Sequence, residues 1–130
     1  MSKVAATTQR LVKFQFQIIA DKHTLVSDAK VKDGGEDKGM DPHDLLVSSL
    51  AACTAMTVQM YADRKSWPLK EAKVSVQITQ ENNQATAFER TVELIGDLDE
   101  EQKVRLIDIA NRCPIHRLLS GKIEINTIRK

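Results

Sequence analysis

The stretch that most constrains this chain is DPHDLLVSSLAACTAMTVQMYADR, residues 41–64. Asp41-Pro42 reads as a helix start. Aspartate offers an N-cap acceptor, and proline suits the first helical position because its missing N–H is not needed there. The spacing predicts a helix over 42–64. From Leu45 to Val58 that helix is apolar or small on nearly every side. Such an element is expected to lie within a core and not to float on a surface with one polar face. Ser48, Ser49, Ala51, Ala52 and Ala55 would let neighbouring backbones come close. Charged residues return only in ADRKS, before the breaker Trp67-Pro68.

Strand patterns flank this helix. LVKFQFQII alternates, with Val12, Phe14, Phe16 and Ile18 on one face, and predicts one half-buried strand. ADKH turns, and TLVSDA can return as a second strand. KVKDGGEDKGMDP, with its glycines, predicts a mobile polar loop. After the helix, AKVSVQIT and TAFERTVELI alternate on either side of QENNQ, the pattern of an antiparallel hairpin. DLDEEQKVRLIDIANRC predicts a second helix. Asp99 and Gln102 form a capping-box pattern, and Glu100 and Glu101 suit the positive N-terminal end. Pro114 interrupts it, PIHRLLSG gives a further short turn ending at Gly121, and KIEINTI predicts a last strand. The order ββ-α-ββ-α-β predicts an α+β fold with mainly antiparallel sheets. No repeat or linker divides residues 1–130, so one domain is expected.

Composition narrows the function classes. The formal charge is +1 and aromatics are 4% of the chain. There is no basic stripe for nucleic acid or an anionic membrane, and few rings for stacking bases. No apolar run approaches the ~20 residues of a membrane helix, and the N-terminus lacks a signal core. A cytoplasmic location is expected, where a structural disulfide is uncommon.

The chemistry-bearing residues are two cysteines, Cys53 and Cys113. Cys53 shares a helical stripe with Leu46, Leu50, Thr57 and Met60. Apolar burial alone would raise its pKa and leave it inert. Cys113 precedes Pro114. If Pro114 opens a new helical turn, Cys113 is its N-cap and faces unpaired N–H groups, which favour the thiolate. His116 and Arg117 could add positive charge. In the plainer reading Cys113 fills core on a face shared with Leu106, Ile109 and Ala110. Zinc is disfavoured: Cys113 and His116 have ligand-like spacing, but a structural site wants four ligands, usually in two close pairs, and the remaining Cys53, His23 and His43 supply no second pair. His43 or His116 could serve a cysteine hydrolase as base, but no motif supports that pairing. DGG lacks the lysine and following helix of a phosphate-binding loop.

Taken together, DPHDLLVSSLAACTAMTVQMYADRKSWPL and RCPIHRLLSGKIEI resemble the OsmC/Ohr family, the osmotically inducible and organic hydroperoxide resistance proteins. The YADRKSWPL segment resembles its general OsmC-like branch. The resemblance covers nearly the whole chain. It implies an intertwined homodimer in which two central helices lie between sheets contributed by both chains. It also implies a use for the thiols: Cys53 as peroxidatic cysteine and Cys113 as the partner that condenses with its sulfenic acid. Organic hydroperoxides would be the substrates. An external, lipoyl-type dithiol would be the reductant, with no bound cofactor. Peroxidase relatives typically carry a glutamate directly after the helix-opening proline, where this chain has His43; Asp44 follows. Relatives also use an arginine from the N-terminal strands, for which Arg10 is the candidate here. The glycines would allow the Lys32–Met40 loop to gate a pocket. The alternative is a non-catalytic OsmC-fold dimer serving in stress or small-molecule binding.

Overall fold

The computed structural model describes residues 4–130. The chain divides into two compact units, residues 1–46 and 47–130. The boundary falls inside the long helix.

In the first unit, strands β1 (Ala6–Val12), β2 (Gln15–Ala20) and β3 (His23–Ser27) form an antiparallel sheet in the order β1-β2-β3. The single strand expected over Leu11–Ile19 is therefore a hairpin. Lys13 takes a left-handed conformation at φ 52° and turns the chain, and Val12 pairs with Gln15. Arg10 Nε donates to the Lys13 carbonyl at 2.8 Å and braces the turn. The turn expected at ADKH is present, with Asp21 at φ 54°.

The segment expected to be a mobile loop is built as a compact turn. A 3-10 helix, Val31–Asp33, ends at Gly34, whose φ of 94° favours glycine. Asp28, only 2% exposed, organises the rest. Its carboxylate accepts the N–H groups of Ala29 at 2.7 Å, Lys38 at 3.1 Å and Glu36 at 3.2 Å. Burial pushes this carboxyl up, but those N–H groups outweigh it and hold Asp28 below its usual range.

Helix α1 spans Pro42–Arg64, as the cap and proline predict. Asp41 Oδ1 accepts the Asp44 N–H at 2.8 Å. In the second unit α1 is followed by the hairpin β4 (Leu69–Glu81) and β5 (Thr86–Gly96), then by α2 (Glu100–Ala110) and α3 (Pro114–Ser120). The capping box at Asp99 and Gln102 forms with both hydrogen bonds present. Val58, Ala62, Leu69, Leu98, Leu106 and Ala110 make the core, with Tyr61, Trp67, Val92 and Leu94 packed against it.

Two expectations change. α1 is not enclosed on all sides: Leu50, Thr54, Val58 and Ala62 form one buried stripe, whereas Met56 and Met60 are 58% and 59% exposed. The last strand is not formed. Residues 122–128 carry the expected strand pattern, but no strand among the described residues pairs with them, and Ile125 and Ile128 lie open at 85% and 89%. Alternation makes a strand only where a neighbour supplies the ladder. The observed order is thus βββ-α-ββ-αα, still α+β with antiparallel sheets.

The membrane expectation also needs correcting. By length and composition alone, α1 could cross a bilayer. A core helix passes the same test, and Leu50, Thr54, Val58 and Ala62 of α1 are buried.

Candidate functional site

Four elements of the second unit converge on Cys113. The residue is the N-cap of α3, with Pro114 at the first helical position, as the sequence suggests. Its Sγ accepts the His116 N–H at 3.3 Å. It is fully buried, as the core-filling reading expects. Thr54, also fully buried on the inner stripe of α1, places its Oγ1 3.7 Å from Cys113 Sγ. The neighbouring Cys53 is half-buried, and its side chain is near enough to help hold the Cys113 thiol down. Both cysteines are free thiols.

The cation of this cluster is Arg90, on β5 opposite Val76. Nη1 donates to Thr54 Oγ1 at 3.0 Å. Nη2 donates to Asn111 Oδ1 at 2.8 Å and to His116 Nδ1 at 3.0 Å. A guanidinium can only donate, so Nδ1 is the acceptor and the imidazole proton is placed on Nε2. His116 therefore serves as an acceptor for Arg90 and not as a second cation. All three acceptors are neutral, so Arg90 keeps its charge near the sulfur. Burial pushes the Cys113 thiol up. The His116 N–H, Thr54, Cys53 and the Arg90 charge outweigh it and hold the thiol below its ordinary value.

Sequence reasoning missed Arg90, although a signal exists. Phe88, Arg90, Val92 and Leu94 alternate on one face of β5, and all four are half-buried. A charge where the period calls for an apolar side chain is costly unless it is paired.

The structure thus brings together Cys53, Cys113 and His116. Arg10, His43 and Asp44 belong to the first unit. Arg10 braces the β1–β2 turn. His43 is exposed in the first turn of α1. Asp44 accepts from Lys30 Nζ at 2.6 Å, which holds its carboxyl below the usual range. Among the described residues, no three His, Cys, Asp or Glu side chains are placed to hold a metal ion.

A recess of about 780 Å³ lies apart from this cluster, between the end of α1 and α2. Tyr61 accepts from Arg105 Nε at 2.9 Å and meets Trp67 edge-on at 5.7 Å. Lys65 sits over the Tyr61 ring, and Arg105 also pairs with Asp108 at 2.8 Å. The tyrosine and these cations are matched to groups of the recess itself.

Comparison with known proteins agrees with this architecture. Residues 35–128 match the family described as OsmC-like protein. No protein of curated function matches the sequence. Among solved structures, an OsmC-like protein from Mycoplasma pneumoniae is 25% identical, with a TM-score of 0.74 over 92% of this chain and 89% of that one. An organic hydroperoxide resistance protein from Elizabethkingia anophelis is 21% identical, with a TM-score of 0.70 over 95% and 92%. The organic hydroperoxide resistance protein OsmC from Legionella pneumophila is 15% identical, with a TM-score of 0.68 over 93% and 91%.

Proposed function

Because the chain belongs to the OsmC-like protein family, we propose that it is a thiol-dependent peroxidase that reduces organic hydroperoxides in stress defence. The observation that carries this reading is the nearness of two free thiols, one of them held toward its thiolate. The hydroperoxide resistance proteins of the same fold supply the substrate class.

The roles follow from access. Cys53 is half-buried and Cys113 fully buried, so Cys53 meets the peroxide. Its thiolate attacks the terminal oxygen of R–O–O–H. The O–O bond breaks, RO⁻ takes a proton to leave as the alcohol, and Cys53 becomes a sulfenic acid. The Cys113 thiolate then attacks the Cys53 sulfur. Hydroxide leaves and is protonated to water, and a disulfide forms. An external dithiol of lipoyl type returns two electrons and two protons by exchange. Free thiols suit a cytoplasmic setting, where reductants keep cysteines reduced.

A homodimer belongs to the proposal. Met56 and Met60 on α1, and the unpaired alternation ending at Ile128, are apolar features that one chain leaves open. A sheet completed by a second chain would cover features of this kind.

A second reading, a non-catalytic binding protein, is favoured by the engagement of Arg10 with Lys13 and of Asp44 with Lys30. Consumption of cumene hydroperoxide with dihydrolipoamide separates the two. Turnover in the wild type that is abolished in Cys53→Ser and crippled in Cys113→Ser supports the peroxidase. A wild type no faster than Cys53→Ser selects the binding protein.

A further inference from the structure

We propose that Arg90 is a positioning residue for disulfide closure: acting through the Thr54 hydroxyl, it presents the Cys113 sulfur as the nucleophile that resolves oxidised Cys53. The inference rests on the peroxidase reading and adds to it a division of labour between the two chemical steps.

Counting protons on Thr54 leads to this role. A hydroxyl has one proton and two lone pairs. Thr54 Oγ1 donates its proton to the Leu50 carbonyl at 2.7 Å and accepts from Arg90 Nη1 at 3.0 Å. Its remaining lone pair is free for the sulfur 3.7 Å away, so a protonated Cys113 donates to Thr54. When Cys113 loses that proton, the hydroxyl hydrogen can rotate from the Leu50 carbonyl to the sulfur. Both states of Cys113 are accommodated with no heavy atom moving.

Arg90 itself cannot follow either neighbour. Asn111 and His116 hold its other nitrogen at 2.8 and 3.0 Å. It is therefore a fixed charge that polarises the Thr54 hydroxyl and favours the anion beyond it. Cys113 is sealed from solvent, so this activation is directed at a partner inside the protein. The nearby Cys53 thiol is that partner. In the step assisted, Cys113–S⁻ and Cys53–SOH form the S–S bond, and hydroxide departs with a proton as water. The two-electron oxidation was delivered beforehand by the hydroperoxide.

The test is a single turnover of the full chain with one equivalent of cumene hydroperoxide, quenched at intervals. Dimedone-labelled Cys53 and the Cys53–Cys113 disulfide are counted by mass spectrometry. Arg90→Met and Thr54→Val should close the disulfide roughly 10- to 100-fold more slowly, the size of a lost hydrogen bond to a charged group. Hydroperoxide loss should slow far less, and dimedone-labelled Cys53 should accumulate. Thr54→Ser, which keeps the hydroxyl, should restore closure. Should Arg90→Met fail to fold, the Thr54 pair decides. Wild-type closure in Thr54→Val, or slower hydroperoxide loss without accumulation of sulfenic acid, overturns the role given to Arg90 and leaves the peroxidase standing. A wild type that forms neither sulfenic acid nor disulfide removes the peroxidase reading and this inference with it.

Discussion

Arg90 and Cys113 lie on opposite sides of one hydroxyl: Thr54 Oγ1 accepts from Arg90 Nη1 at 3.0 Å and stands 3.7 Å from Cys113 Sγ. A fixed cation and a buried thiol are thus coupled through a group that can turn its proton either way. The His116 N–H does most to hold this sulfur, which has no solvent contact, below the ordinary thiol value of 9.0, and Thr54, Cys53 and the Arg90 charge add to it.

The lowered Cys113 value makes stability depend on pH. The charged form of Cys113 is its anion, and its pKa is lower in the fold than in the unfolded chain. Between those two values the unfolded state binds more protons, so stability rises with pH. The contribution is complete above about pH 9 and is lost as pH falls through the folded value. Melting of wild type and Cys113→Ser under reducing conditions should show the wild type gaining on the variant from neutral pH to about pH 9. A difference that does not change with pH would contradict the assignment.

Tyr61 offers a clean optical test because the chain has one tyrosine. The hydrogen bond from Arg105 Nε holds its phenol below the ordinary value of 10.0. An absorbance titration of phenolate should have its midpoint below that value, and Arg105→Ala should move it upward. An unchanged midpoint in the variant would show that Arg105 does not set it.

Asp28 should govern the turn that follows it. Asp28→Asn replaces one acceptor oxygen with an NH₂ facing backbone N–H groups. Amide exchange at Glu36 and Lys38 should quicken by about tenfold or more, with a lower melting temperature. Because the Asp28 carboxyl is held below its usual range, its stabilisation is present above about pH 4 and lost as pH falls through the folded value. Exchange at those amides that is equally slow in Asp28→Asn would contradict the role.

Much of this was legible because local rules agreed. Asp41-Pro42 placed the start of α1, Asp99 and Gln102 the start of α2, and Cys113-Pro114 the cap of α3. The misreadings have physical causes. Lys13 and Phe14 carry none of the glycine or asparagine chemistry that marks a hairpin turn, so the alternation read straight through it. Residues 122–128 carry a strand pattern, but a strand needs a partner that one sequence does not name. Arg90 is hidden in the sequence because apolar residues carry the hairpin's alternation, and one arginine among them does not break it. In one chain Met56 and Met60 leave α1 open on one side, so its burial on all sides would require a second copy there.

That dependence predicts an oligomer. Sedimentation should give about twice the 14.6 kDa chain mass. Met56→Lys, which places a charge on the exposed face of α1, should shift the species toward monomer. A wild-type monomer at micromolar concentration would contradict the dimer.

The most direct measurement of the central claim is the state of the two sulfurs after one equivalent of an organic hydroperoxide. Reduced wild type is treated with cumene hydroperoxide without any dithiol, then digested without reduction and analysed by mass spectrometry. The account predicts a peptide pair joined through Cys53 and Cys113, one alcohol released per disulfide, and no such pair in Cys53→Ser. Free thiols at both positions with the hydroperoxide intact would contradict it.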